Sequence, residues 1–408
     1  MSKIVVLGGA GAVGSVVSMA LARSGKARDV VIADANLDKA EQVAHQSGAG
    51  CARSTRFDAM SRESVAQVIS GAALVVNCVG PFYKTVRNVL EAVIAARINY
   101  VDVCDDVDAT LDILGMDGAA REAGVSALIG MGASPGVTNL LARMAAEGML
   151  DETERIDIFH AHGGEPFEGA GVVGHRFHCM SVDIPMFLDG KLEYVKYFEP
   201  SGIALRQKFD FPVLGEGIEI YPYPHPEQIT LPRYLKVRNV TNKGTVLPQE
   251  YYELTRDICA LGLASKEPVQ VGGGAVVPYD FSVAYILRER ERILKETGFG
   301  RQRGCCSVVA RGTKRGKALE IRFHMASESQ GLGEGTGLPA AIGALLMLDG
   351  RIKGPGVLPP EACVSPAEFL SKAPAITRLL HEGEGDKRFS GLLVQRIDET
   401  GRMTETRL

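Results

Sequence analysis

The stretch KIVVLGGAGAVGSVVSMALA, residues 3–22, constrains this chain more than any other. A short β-branched run passes directly into Gly9-x-Gly11-x-x-Gly14 and then into an apolar, Ala-rich run of helical period. The next apolar run, DVVIAD, ends at Asp34, 20 residues after Gly14. Glycines at this spacing between a strand and a helix, with an acid about 20 residues on, form a dinucleotide-binding fingerprint. Gly9 permits the tight turn, Gly11 lets the backbone approach a pyrophosphate, and Gly14 lets the helix pack against the sheet. The helix N-terminus offers unpaired N–H groups and a positive dipole end to the phosphates. A carboxylate at Asp34 suits an adenosine ribose and repels a 2′-phosphate. No basic residue follows it at once in DANLDK, so NAD is expected in preference to NADP.

Gly8 leaves one alternative, because GGAGAVG also fits the G-x-x-G-x-x-G spacing of short-chain dehydrogenases. Those enzymes use a Tyr-x-x-x-Lys pair. None of the 11 tyrosines here has Lys four residues later, which argues against that class.

At 408 residues the chain has room for two domains. A net charge of −4, with no basic run or tail, gives no electrostatic case for nucleic acid or an anionic membrane. The eight cysteines include no C-x-x-C and several lie in apolar runs, the pattern of reduced, buried thiols in a cytoplasmic protein. The first strand begins at once, so no leader is expected. The apolar run PAAIGALLML is too short to span a bilayer.

Residues 1–150 alternate strand and helix patterns. Strands are expected at 3–8, 29–33, 51–57, 73–79, 99–103 and 125–131. Helices are expected at 12–24, 37–47, 61–70, 84–96 and 107–123. This is an α/β pattern: a Rossmann doubly wound parallel sheet with its ligand at the carboxyl ends of the strands. From 151 to 330 the alternation in RIDIFHAH and ALEIRFHM predicts a second α+β domain with a largely antiparallel sheet. There RGTKRGK is a hairpin connection, YPYPHPEQ (221–228) a loop, and QEYYELTRDICALGLA and YILRERERILKETG are helices. Residues 335–350 are helical again, capped by Thr336 and stopped by Gly350. Residues 371–408 form a C-terminal extension, expected to be poorly ordered from about 382 until FSGLLVQRID.

Three further turns converge on the presumed crevice: NCVGPFY (77–83), DVCDD (102–106) and IGMGASPGVTN (129–139). The cofactor-binding set is therefore Gly9, Gly11, Ala12, Val13, Gly14, Asp34, Asp58, Cys78, Val79, Gly80, Pro81, Asp105 and Pro135. His160-x-His162 and His175-x-x-His178-Cys179 lack a Cys pair or a H-E-x-x-H helix, so no metal is assigned. Arg176, Arg233 and Lys236 are candidates to hold a substrate carboxylate, although a solvated surface charge is the commoner role.

GGAGAVG, NCVGPFY, YVDVCDD, GASPGVTNLLA, GEGTGLPAAIGALLML and GVLPPE together resemble the saccharopine dehydrogenase-like family, from residue 1 to about 370. That family includes saccharopine reductase, lysine 6-dehydrogenase and carboxynorspermidine dehydrogenase. The resemblance implies a nicotinamide-dependent oxidoreductase acting on a C–N bond of an amino acid or opine by hydride transfer through an imine. It also implies that about 331–370 completes the first domain, and that 151–330 carries substrate contacts and a homodimer interface. Two departures matter. Family members often have Asp before Pro-Gly, where this chain has Ser134. NADP-using members tend to carry Arg near the end of strand two, where Asp34 and Ala35 stand here, closer to the lysine 6-dehydrogenase pattern.

Hydride leaves only a neutral amine, so a base is wanted. Asp105 is the candidate for that role or for holding the substrate ammonium, with Tyr83 and His162 as further catalytic candidates; Cys104 reads as a buried thiol. Two alternatives stay open: a non-catalytic NAD-binding regulator, and an NADPH-dependent imine reductase of the carboxynorspermidine or saccharopine type.

Overall fold

A computed structural model of the chain describes residues 2–328, 332–352, 354–381 and 392–407. The chain divides into two compact units. The first is Met1–Asp151 with His225–Lys236 and Leu332–Ser390; the second is Glu152–Pro224 with Val237–Gly331 and Gly391–Leu408.

The first unit is built on β1 (Ser2–Leu7), β2 (Ala27–Asp34), β3 (Ala52–Arg56), β4 (Leu74–Asn77), β5 (Asn99–Asp102) and β6 (Ser126–Leu128). Between them run α1 (Ala12–Arg23), α2 (Leu37–Gln46), α3 (Arg62–Ile69), α4 (Phe82–Ala95), α5 (Val107–Leu114) and α6 (Asp117–Ala123); α7 (Val137–Met144) follows β6. The strands lie in the order β6-β5-β4-β1-β2-β3, and Gly356–Leu358 adds a seventh on the outer side of β6. Every pairing is parallel. The direction of winding reverses between β1 and β4, which is where such sheets open a crevice. Ile4–Leu7 and Leu74–Val76 are fully buried, as strands covered by helices on both faces must be.

The helix expected over 107–123 is two helices. Gly115 ends α5, and Met116 sits at φ −90°, ψ 3°, outside the helical region. Gly115 itself stays helical, at φ −63° and ψ −15°, so the break lies at Met116. The helix expected to begin at Thr336 starts earlier, at Leu332, so Thr336 is interior rather than a cap. It packs on α1: a Cβ on Gly337 would meet the Val13 carbonyl oxygen at 2.8 Å. Gly350, at φ +68°, ends it as expected.

The second unit holds a ten-stranded sheet. Its centre is Glu152–Gly163, parallel to Asn239–Leu247 and antiparallel to Arg303–Lys314. All its other pairings are antiparallel. The RGTKRGK hairpin turns on Arg315 and Gly316, at φ +53° and +74°, the pair of left-handed residues that a tight two-residue turn requires. Helices Gln249–Ala260 and Pro278–Glu296 fall where expected.

Three placements differ from the sequence expectation. His225–Lys236 belongs to the first unit, not to the 151–330 block. Within the expected C-terminal extension, Pro366–Leu380 is a helix. Leu393–Asp398 and Met403–Arg407 extend the second sheet from Lys317–Ser327. The stretch expected to be poorly ordered, from 382 to 391, lies outside the described residues. Among the described residues no helix is long and apolar enough to cross a membrane.

Candidate active site

Because β1–β6 run parallel, the turns that follow them share one edge of the first unit. Gly9 and Gly11 follow β1, Asp34 ends β2, and Asp58 follows β3. Cys78, Val79, Gly80 and Pro81 join β4 to α4, Asp105 joins β5 to α5, and Pro135 joins β6 to α7. Ala12, Val13 and Gly14 open α1 on the same edge.

The glycines of the first turn have separate reasons. A Cβ on Gly14 would run into the Gly8 carbonyl, and one on Gly9 would meet the Val6 carbonyl oxygen at 2.9 Å. Gly8 stands at φ +68° with Cys78 O only 2.9 Å from where its Cβ would be. Gly11 is different. Its φ is −71°, and a Cβ there would meet only the Gly8 oxygen, at 3.4 Å. The protein's own packing does not demand glycine there, whereas a closely approaching phosphate does. Gly11 caps α1 without a side-chain bond, and no acid stands in the first turn. The N–H groups of that turn and the dipole therefore suit an anion. These residues fit the pyrophosphate of a dinucleotide. Asp34 braces the same loop: Oδ2 accepts the Ala10 N–H at 3.0 Å, and Oδ1 the Asn36 N–H at 3.0 Å.

The three acids from the last residue of β5 onward divide into two that hold structure and one that is accessible. Asp102 is fully buried, and its Oδ1 accepts the N–H groups of Gly130 (2.7 Å) and Cys104 (3.0 Å). Burial pushes its carboxyl up to about 6, against those two bonds. Asp106 is also buried and accepts the Tyr83 N–H at 3.2 Å. Asp105 is half-buried and makes no hydrogen bond or ion pair among the described residues. Tyr83, in the first turn of α4, is 41% exposed. Cys104 is 1% exposed and burial raises its thiol well above the ordinary value; Cys78 is pushed up to about 12 by burial and by Asp102. Neither is a thiolate at neutral pH.

The Ser134–Asn139 turn is gripped by a network that the sequence did not reveal. Glu227, fully buried, accepts from Ser134 Oγ (2.6 Å) and Thr138 Oγ1 (2.8 Å), and lies 3.0 Å from His225 Nδ1. Burial favours the neutral acid, but the His225 charge and the bonds from His225 and Ser134 outweigh it and hold Glu227 below the usual range. Asn139 accepts the Gly136 N–H at 2.8 Å and donates to Glu361 Oε2 at 2.9 Å. Burial pushes Glu361 up to about 7, against its bonds from Thr230 and Asn139. Beside Asn139 lies a cavity of about 10 Å³ lined by Cys104, Gly130, Pro135, Thr230 and Pro359, close to the room one water needs. His225 and Glu227 come from the Pro-rich segment read as a plain loop. No spacing in the sequence links them to Ser134.

Other candidates have their own surroundings. His162 belongs to the second unit, where Nδ1 is 2.6 Å from Glu165 Oε1. Arg176 is 4% exposed and pairs with Glu168 at 2.9 Å, beside the Tyr251 ring. Only Nη2 makes that bond; Nη1 is buried without a hydrogen-bond partner among the described residues. Arg233 and Lys236 are exposed.

Residues 4–128 match the family model described as the saccharopine dehydrogenase NADP binding domain. The chain is 24% identical over 390 residues to carboxyaminopropylagmatine dehydrogenase of Synechocystis sp., covering 91% of this chain and 95% of that one. It is 25% identical over 407 residues to carboxynorspermidine synthase of Vibrio cholerae, covering 90% and 94%. Its fold matches that of the apo saccharopine dehydrogenase (L-Glu forming) of Saccharomyces cerevisiae, with a TM-score of 0.63 and 15% identity, over 99% of this chain and 100% of that one. Residues 4–128 thus match the saccharopine dehydrogenase nucleotide-binding domain, and the chain as a whole shares the fold of saccharopine dehydrogenase.

Proposed function

We propose that the chain is a nicotinamide-dependent oxidoreductase acting on the C–N bond of an amino acid joined to an aliphatic amine. The observation that carries this reading is Asp105. It is an accessible carboxylate without a partner among the described residues, on the edge that also carries the glycine cradle. A bound nicotinamide supplies the hydride donor or acceptor. The first turn of α1 would hold the pyrophosphate, and Asp34 would accept from the adenosine ribose, which favours NAD. Asp105 would hold the substrate ammonium or take the proton that the amine nitrogen loses. In the reductive direction it would return that proton while the imine carbon gains hydride. Tyr83 would hydrogen-bond the substrate.

The curated relatives are named for carboxyaminopropylagmatine and carboxynorspermidine. They support a carboxyalkyl-polyamine substrate and the reductive alternative more than lysine itself. The test is a screen of lysine, saccharopine, carboxynorspermidine and carboxyaminopropylagmatine with both oxidised cofactors, together with the matching amine and aldehyde mixtures with both reduced ones. Nicotinamide absorbance is followed. Turnover of a carboxyalkyl amine is expected. Cofactor binding without turnover of any amine would instead indicate a regulatory protein.

A further inference from the structure

Three donors in the second unit converge on one carboxylate. Glu168 Oε1 accepts from Arg176 Nη2 at 2.9 Å and from the Tyr251 hydroxyl at 2.8 Å, and Oε2 lies 3.2 Å from Arg290 Nε. Both guanidiniums also lie over the Tyr251 ring, 5.1 and 6.0 Å from its centroid. The side chains of Arg176 and Glu168 are each 5% exposed and that of Arg290 8%, so the charges are buried together. Burial pushes the Tyr251 phenol up to about 12, so its hydroxyl stays a donor. Two cations thus share one directly bonded anion. Glu165 does not supply a second: its carboxylate turns to His162, at 2.6 Å, and Arg290 Nη2 meets only its backbone carbonyl, at 2.5 Å. Arg176 Nη1 is buried with no hydrogen-bond partner among the described residues.

The donors and the acceptor are held differently. Arg176, Tyr251 and Arg290 stand on the helices Ala170–Ser181, Gln249–Ala260 and Pro278–Glu296. Glu168 stands on the irregular connection 164–169, which begins and ends in glycine and leaves Phe167 82% exposed. Side chains fixed on helices make a preformed site, whereas one on a short loop can leave without unfolding an element. Glu168 also engages the terminal fork of Arg176 through one prong only. A carboxylate free of the loop can meet Nη1 and Nη2 together, the bidentate geometry that suits a guanidinium. Exchange of one carboxylate for another conserves the charge of the cluster, so neither guanidinium is left unpaired in the interior. We propose that Arg176, Tyr251 and Arg290 form a carboxylate-binding site within the second unit, in which Glu168 stands in for an external alkyl carboxylate and gives way to it. The site is assigned independently of the dinucleotide reading.

The test is calorimetric titration of the full chain and its variants with butyrate and 4-aminobutyrate, with butylamine and sulfate as probes that lack the carboxylate. Both carboxylates should bind the parent at one saturable site, and the other two probes should not. E168Q removes the competing charge, so it should bind the carboxylates at least about tenfold more tightly than the parent. Its melting temperature, lowered by the uncompensated guanidiniums, should recover as carboxylate is added. R176Q introduced into E168Q should weaken binding on the order of tenfold or more, and R176K should do so by less, since an ammonium keeps the charge without the fork. Far-UV circular dichroism checks that each variant is folded, and R176K serves where R176Q is not. The chain has no tryptophan, so F167W reports the loop, and its emission should change along the same titration curve. Absence of saturable carboxylate binding in both the parent and E168Q would overturn the site, as would equal binding of butylamine or sulfate, or an affinity unaltered by either Arg176 substitution. Binding with F167W emission unchanged would overturn the displacement of Glu168.

Discussion

Glu361→Gln isolates the cost of one buried acid. The Glu361 carboxyl is fully buried and pushed up from its ordinary 4.5 to about 7 by that burial. Between those values the folded chain keeps a proton that the unfolded chain releases. Stability from this group is therefore complete below about pH 4.5 and is lost as pH rises through about 7. A shift of about 2.5 units at ~1.4 kcal/mol each amounts to about 3 kcal/mol. Glutamine mimics the neutral acid: its side-chain oxygen can still accept from Asn139, and nothing remains to ionise. Hydrogen exchange of β6 and α7 amides reads the first unit without assuming that both units unfold together. The variant should match the parent near about pH 5 and exceed it by about 2–3 kcal/mol near about pH 8. Asp102, pushed up to about 6, titrates in both proteins and drops out of the difference. A loss of stability in the variant at the lower pH, or a difference that does not change with pH, would refute the reasoning.

Gly11→Ala and Gly14→Ala should separate packing from binding. Gly11→Ala should leave the melting temperature within about 2 °C and weaken dinucleotide binding at least about tenfold, whereas Gly14→Ala should lower the melting temperature as well, since its Cβ meets backbone. Asp34→Ala should weaken NAD by about tenfold in a titration, through lost ribose bonds and a loosened Ala10 turn. Asp105→Asn should lower kcat by about 10²-fold or more while leaving cofactor affinity unchanged, because the side chain holds no other structural bond.

The first unit was legible because its signals are local. A strand, a three-glycine turn, a helix and an acid 20 residues on give the loop, the sheet class and the ribose carboxylate in one pass. The site's outer wall was not legible. Ser134 meets Glu227 across 93 positions, and Asn139 meets Glu361 across 222. Nothing in YPYPHPEQ or LPPEAC marks those acids as buried partners of a distant turn. Asp102, Asp105 and Asp106 look alike in DVCDD, and only folding assigns two of them to backbone N–H groups. Thr336 failed as a cap for a similar reason: the helix gains its stability by packing on α1, so it runs past a local stop signal.

The central claim is tested most directly by mixing the chain with a reduced nicotinamide cofactor and an imine-forming pair, a polyamine with an amino-acid aldehyde. Cofactor oxidation is then followed and the product identified by mass. The account predicts stoichiometric oxidation with formation of a secondary carboxyalkyl amine, lost in Asp105→Asn. Tight cofactor binding with no oxidation, for any such pair and in either direction, would contradict it.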